Sequence, residues 1–154
     1  MPRIDGSIEI KAPRDKLFEY VSDIELQPEW AKWAKEAAVT TAEPGVVGST
    51  YQMLMQVGPK KDRVEGIVTG YKEGHYIARR LTTGMEMTET ISVVPFGDGQ
   101  KVAWIIEYTP PMGAMGKMID TLFMVRLFDQ LMRDSLLILK ERAEAAAAAP
   151  ARRA

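Results

Sequence analysis

The sequence predicts an α+β protein in which a curved antiparallel sheet packs against one long C-terminal helix. Residues 113–149 contain no proline and are dominated by Leu, Met, Ala, Arg and Lys, which favour helix. The chain before this stretch consists of short segments separated by turns that contain Gly or Pro, and strands so closely spaced must pair antiparallel. The length of 154 residues is that of one domain. We expect this domain at residues 1–149 and a flexible tail at residues 150–154.

The first 33 residues predict one strand and two short helices. Apolar and polar side chains alternate over Ile4–Lys11, which is typical of a half-buried strand. Pro13 suits the first turn of a helix over Arg14–Ser22, because that turn has no partner for its N–H groups. The segment Asp23–Trp33 predicts a second short helical piece, interrupted at Pro28.

The chain after residue 37 predicts the rest of the sheet. Stretches with a strand pattern occur at residues 38–42, 49–57, 63–71, 76–83, 85–94 and 102–109. The basic run Lys60–Arg63 is interpreted as a solvated turn between two of these strands. Together with the first strand they predict an antiparallel meander of six to seven strands.

The C-terminal helix is predicted from about residue 115 to about residue 145, and it is amphipathic. At 100° per residue, one face carries Thr121, Val125, Phe128, Met132, Ser135, Leu136, Leu139 and Ala143. Charged and amide side chains occupy the opposite face, and they are too numerous for a membrane span. We therefore expect this helix to lie against the sheet, with no stable membrane insertion.

Composition excludes several classes of function. A net charge of −1 provides no general attraction to nucleic acid or to anionic lipid. The absence of cysteine excludes disulfides, thiolate catalysis and Cys-based metal sites, and a single histidine excludes a histidine-rich one. No carboxylate cluster suggests a metal site, so we expect neither a metal nor a cofactor. No apolar run follows Met1, which predicts a protein without a signal peptide and a cytoplasmic location.

Arg79 and Glu89 are the candidate catalytic residues. Each lies two positions from apolar residues on both sides, so simple alternation would turn both charges inward. A buried pair could orient a polar ligand group, and a buried carboxylate could act as an acid or base. The alternative is a bulge that places both on the solvent face, and we favour it because a slip of one residue reverses the assignment. His75 is interpreted as an exposed residue at a strand start rather than a general base.

The order of elements resembles the helix-grip fold of the START-like (SRPBCC) superfamily, with a closer local match to its polyketide cyclase/dehydrase-like branch. The matching segments are residues 8–30 (IEIKAPRDKLFEYVSDIELQPEW), 45–53 (GVVGSTYQM), 99–111 and 116–144. This resemblance implies a cavity between the curved sheet and the C-terminal helix that holds an apolar or amphipathic molecule. It also implies either binding and carriage of such a molecule or the cyclisation and dehydration of a polyketide.

The predicted cavity is lined by aromatic residues, methionines and the apolar face of the helix. Its predicted ligand-binding residues are Trp30, Tyr51, Met53, Met55, Met87, Trp104, Tyr108, Thr121, Val125, Phe128 and Met132. Methionine adapts to irregular shapes, which suits a wall that accepts varied apolar ligands. Plain core packing explains each methionine equally well, and we favour the cavity because the methionines are concentrated on the proposed inner strands and the helix. Thr121 and Ser135 could offer hydroxyls to a ligand or bond back to their own helix.

Three functions compete at this stage. We rank binding of a small lipid-like or polyketide-like molecule first, and a cyclase or aromatase that uses Arg79, Glu89 or a tyrosine second. A membrane-surface or subunit-interaction protein that uses Leu122, Phe123 and Leu127 comes third. The expected partner is a small hydrophobic ligand, not nucleic acid, and the oligomeric state is open between monomer and homodimer.

Overall fold

The computed structural model describes the chain except for residues 1, 42, 44–45, 110–116 and 149–154 and the side chains of Lys60 and residues 117–121. Within the described residues the chain forms seven strands, two α-helices and one short 3-10 helix. The strands are β1 (Arg3–Ile10), β2 (Ala34–Val39), β3 (Thr50–Val57), β4 (Lys60–Lys72), β5 (Tyr76–Leu81), β6 (Met87–Phe96) and β7 (Gly99–Tyr108). The helices are α1 (Arg14–Ser22), the 3-10 helix (Ile24–Glu29) and α2 (Lys117–Ala148). The predicted tail at residues 150–154 lies outside the described residues.

All seven strands form one antiparallel sheet in the order β1-β7-β6-β5-β4-β3-β2. The predicted α+β fold is confirmed: the sheet curves around the long C-terminal helix. Strands β2 to β7 are neighbours in sequence and in space, whereas β1 and β2 lie at opposite edges. The connection between β1 and β2, which contains α1 and the 3-10 helix, must therefore cross from one edge of the sheet to the other.

The amphipathic prediction for α2 is confirmed over its described side chains. Phe128, Met132, Leu136 and Leu139 are buried, whereas Val125 is half-buried. The side chain of Thr121 lies outside the described residues. No helix among the described residues is long and apolar enough to cross a membrane.

A cluster of five aromatic rings fills the core between the sheet and α2. Trp104 of β7 lies 4.8 Å from Trp30 and 4.6 Å from Trp33, measured between ring centroids. Phe128 of α2 lies 5.0 Å from Trp33 and 4.9 Å from Tyr108. All five rings are almost fully buried, so this cluster joins α2, the sheet and the connection after the 3-10 helix.

The sequence-based bounds of β2 and β4 are wrong. Lys60–Arg63 is not a turn but the start of β4. The turn between β3 and β4 is Gly58-Pro59, and the last pair of the two strands before it is Val57 with Lys60. Gly58 has a positive φ of 75°, which permits so tight a turn. The second strand is Ala34–Val39 rather than residues 38–42, since its alanines carry little strand preference and pairing with β3 decides its position.

Candidate functional site

A pocket of about 500 Å³ lies between the junction of α1 with the 3-10 helix and strands β2 to β5. Its apolar wall consists of Ile24, Val39, Tyr51, Val68, Tyr71 and Ile77. Its polar lining consists of Glu19, Ser22, Asp23, Glu25, Thr41, Ser49, Thr50 and Arg79. We call this the α1 pocket. An apolar wall with a few polar groups is the usual composition of a small-molecule site.

Arg79 and Glu89 form a buried ion pair beside this pocket. They are directly opposite each other on β5 and β6, and Arg79 Nη1 donates to Glu89 Oε2 over 3.2 Å. Their side chains are 1% and 5% exposed, so the preference for a solvent-facing pair is wrong. The register shift in this part of the sheet lies between Val68 and Gly70 of β4 and leaves the pairing of β5 with β6 regular.

Two further donors converge on the Glu89 carboxylate. Gln27 Nε2 and Trp104 Nε1 donate to Glu89 Oε1 over 2.8 Å and 2.9 Å. Together with Arg79, three N–H donors therefore bind the Glu89 carboxylate, and both of its oxygens accept. This is the arrangement for an ionised carboxylate. The sequence analysis missed Gln27, although its helical spacing from Ile24 and Trp30 would have placed it on the inner face.

Arg79 also holds the end of α1 against the sheet. Its Nη2 donates to the Ser22 carbonyl over 2.5 Å, at the helix C-terminus where carbonyl groups lack intrahelical partners. The last turn of α1 contains no basic residue of its own, so β5 supplies the cation that favours a helix C-terminus. Among the described residues, Arg79 Nε is buried without an acceptor.

Tyr51 forms the floor of the α1 pocket and lies on Gly66. The two residues are paired across β3 and β4, and a Cβ at Gly66 would collide with the Tyr51 ring. Glycine at this position thus allows the ring to lie flat on the sheet. Burial, followed by the charge of Glu89, raises the pKa of Tyr51 well above its ordinary value, while Arg79 opposes the shift. Tyr51 therefore stays a neutral phenol.

His75 connects the start of α1 to the turn before β5. It is half-buried at that strand start, and Arg14 Nη2 lies 2.7 Å from His75 Nδ1 while Arg14 Nε donates to the Gly74 carbonyl. Because arginine can only donate, Nδ1 must be the unprotonated nitrogen. Partial burial lowers the pKa of His75, and the charges of Arg14 and Lys72 lower it further.

We expect this contact to make stability depend on pH. The pKa of His75 is lower in the folded than in the unfolded protein, so its contribution is complete above the unfolded value of about 6.5. The contribution falls as the pH drops below that value and is lost below the folded pKa. The melting temperature of the wild type should therefore fall more between pH 7.5 and pH 5 than that of His75→Asn, which keeps an acceptor but does not titrate. Parallel pH profiles for the two proteins would contradict this role.

The predicted ligand-binding residues lie in two places. Tyr51 lines the α1 pocket, as does the candidate catalytic residue Arg79, whereas Glu89 lies behind it. The others described are in the core under α2: Trp30, Met53, Met55, Met87, Trp104, Tyr108, Phe128 and Met132 are buried, and Val125 is half-buried. Ser135 donates to the Leu131 carbonyl of its own helix and accepts from the Lys32 N–H, so its hydroxyl serves the fold.

A second pocket, of about 640 Å³, lies between α1 and the end of α2. Its wall includes Leu17, Tyr20 and the alanines Ala143 and Ala145–Ala147. Burial, together with the hydrogen bond to Glu29, raises the pKa of Tyr20 to about 12. No group of three or more potential metal ligands occurs in the part of the chain that the structure describes.

A sheet curved around a long C-terminal helix is the helix-grip fold of START-like proteins. The chain belongs to the family described as polyketide cyclase / dehydrase and lipid transport, whose model matches residues 1–144. No curated protein matches the chain.

Solved structures show the same fold at low sequence identity. TTHA0849 from Thermus thermophilus is 19% identical, with a TM-score of 0.80 over 96% of this chain and 100% of that one. A START superfamily protein from Mycobacterium smegmatis is 18% identical, with a TM-score of 0.71 over 94% and 98% of the two chains. The Zhui aromatase/cyclase from a Streptomyces species is 11% identical, with a TM-score of 0.78 over 96% of each chain.

Proposed function

We propose that this protein binds a small amphipathic molecule in the α1 pocket and acts as a carrier or receptor rather than as a catalyst. The observation that carries the proposal is the Arg79 side chain, which lines the pocket while its buried Nε has no acceptor among the described residues. A buried donor without an acceptor costs free energy, so an oxygen atom of a ligand would be stabilised there. Such a donor orients a ligand more than it strengthens binding.

The apolar wall supplies the affinity. Tyr51, Val68 and Ile77 are buried side chains that reach the pocket from β3, β4 and β5, and Tyr71 extends the wall. Contact with them removes apolar ligand surface from water at about 25 cal/mol per Å², before the cost of association. The pocket therefore suits a ligand with an apolar body and at least one oxygen acceptor.

The polar groups favour binding over proton transfer. The Glu89 carboxylate is occupied by three donors, and Tyr51 remains a neutral phenol. A general acid or base needs a free position from which to exchange a proton with the ligand, and the Glu89 carboxylate already accepts from three protein donors. The raised pKa of Tyr51 keeps its proton on the phenol. A cyclase that uses Arg79 and Glu89 for proton transfer is thus the second choice.

The test is to titrate a neutral dye whose emission depends on polarity into the wild type and into Val39→Trp. Val39 is half-buried and lines the pocket, so the larger ring should occupy the ligand volume without entering the core. We expect the dissociation constant of the dye to rise about tenfold or more, equivalent to about 1.4 kcal/mol. Gln52→Trp is the matched control, because it places the same ring on the exposed face of β3.

A third variant, Met53→Trp, separates the α1 pocket from the cavity predicted beneath α2. Met53 is buried on β3 and does not line the α1 pocket. Loss of dye binding in Val39→Trp but not in Met53→Trp supports the α1 pocket, and the opposite result supports the predicted cavity. Absence of dye and lipid binding by the wild type would contradict the proposed function.

A further inference from the structure

The mouth of the α1 pocket carries an excess of negative charge. Among the described residues that line the whole pocket, Glu19, Asp23 and Glu25 are acidic and Arg79 is the one base. The three carboxylates have no ion-pair partner in the part of the chain that the structure describes. Arg79 does not neutralise them, since its own charge is paired with Glu89. The lining together with Glu89 therefore has a net charge of −3.

The positions of these carboxylates keep them at the mouth. Glu19 lies in the last turn of α1, and Asp23 directly follows the helix as its C-cap, so both carboxylates are at the same end of α1. Glu25 is held by the hydrogen bond that its Oε2 accepts from the Val39 N–H.

The inner end of the pocket has a different character. Arg79 is 2% exposed and offers its unpartnered Nε–H, but its charge is balanced by Glu89 at 3.2 Å. It is therefore suited to a neutral oxygen, such as a carbonyl or hydroxyl, more than to an anion. An anionic head group would meet three unpaired carboxylates at the mouth, and no described residue of the lining offers it a free cation.

We propose that the α1 pocket selects amphipathic molecules with a protonated amine over those with a neutral head group, and disfavours those with a carboxylate. This inference rests on the proposed function, because it concerns the ligand of the same pocket. The amine lies among Glu19, Asp23 and Glu25, and the apolar chain lies on Tyr51 and Val68. Charges that line a cleft act together on an incoming ligand and are screened by salt.

The experiment measures displacement of the neutral dye by octylammonium, octanol and octanoate at pH 7 and low ionic strength. These probes share one chain and differ in head-group charge. We expect octylammonium to bind about fivefold more tightly than octanol, and octanoate to bind more weakly than octanol, as is typical of exposed charge pairs. The preference should shrink in 0.5 M salt, where the Debye length is only about 4 Å.

The charge variant combines Glu19→Gln with Asp23→Asn. In the native protein Asp23 Oδ1 accepts from the Glu25 N–H, and the asparagine oxygen can keep that hydrogen bond. This variant should reduce the preference for octylammonium over octanol to about twofold or less, by removing two of the three charges. The matched control is Glu86→Gln with Glu107→Gln, which changes net charge equally at exposed residues outside the pocket and should keep the preference. Should the double variant at the mouth lack a cooperative melting transition, Glu19→Gln alone serves as the test.

The outcomes separate the two proposals. Displacement by all three probes with equal strength, or most strongly by octanoate, overturns the charge selection and leaves the proposed function intact. The charge selection is also overturned if both double variants lose the preference for octylammonium equally. The preference would then come from the net charge of the protein and not from the carboxylates at the mouth. No dye binding by the wild type overturns the proposed function, and the charge selection with it.

Discussion

Replacement of Glu89 with leucine is expected to lower the free energy of unfolding by about 3–5 kcal/mol, as for other buried ion pairs that lose one partner. The substitution leaves the Arg79 guanidinium without a counter-charge in a site that is almost closed to solvent. It also removes the acceptor of the Gln27 side-chain amide and of the Trp104 indole N–H. Each buried donor left without an acceptor costs roughly 1–3 kcal/mol, and this cost is part of the expected loss.

Chemical denaturation at pH 7 measures this effect, with Asp129→Leu as the control. Asp129 pairs with Arg133 over 2.8 Å, but the arginine side chain is 71% exposed, so we expect a loss below about 1 kcal/mol. The double variant Arg79→Met with Glu89→Leu should be more stable than Glu89→Leu alone, because it no longer buries an unpaired charge. Equal losses for Glu89→Leu and Asp129→Leu would show that the pair contributes no more than a surface contact.

Truncation of the chain after Pro111 is expected to abolish cooperative folding. It removes Phe128, Met132, Leu136 and Leu139, each almost fully buried. At about 1.5–3 kcal/mol for each buried side chain, their loss costs about 6–12 kcal/mol. That range is comparable with the entire stability of an ordinary domain. The truncation also exposes the ring cluster, because Phe128 covers Trp33 and Tyr108.

Thermal unfolding followed by tryptophan fluorescence tests this expectation, since Trp30, Trp33 and Trp104 all remain in the truncated chain. A chain shortened only by residues 150–154 is the control, and its melting temperature should equal that of the full chain. Those residues carry no apolar side chain larger than alanine or proline. A cooperative transition in the chain cut after Pro111 would mean that the sheet folds without α2.

The sequence alone determined the type and order of the elements and the faces that α2 and β7 bury. The phase of α2 could be predicted because apolar side chains recur along one side of a helix whatever packs on it. The inward face of β7 could be predicted in the same way, since Trp104 and Tyr108 alternate with more exposed residues. Both predictions depend only on local periodicity, which the residues themselves carry. The boundaries of β2 and β4 could not be predicted, because strand pairing and not side-chain preference decides where they begin.

The burial of Arg79 and Glu89 could be decided only by the tertiary structure. A period of two permits either face, and one bulge reverses the assignment for a whole strand. The sheet does contain such a shift, but it lies in β4 and not between the two charges. The hydrogen bonds that stabilise the buried pair are also non-local. Arg79 donates to the Ser22 carbonyl, and Glu89 accepts from Gln27 and Trp104, which lie in other parts of the chain.

The position of the α1 pocket is likewise a result of topology. Since β1 and β2 lie at opposite edges, the connection between them crosses the sheet and leaves the pocket between its helices and β2 to β5. No residue pattern signals that separation, because strand order is set by pairings between residues as far apart as Ile4 and Ile106. The sequence by itself therefore determined the fold class and the apolar residues that face the core. The tertiary structure alone decided which polar groups meet and where space is left for a ligand.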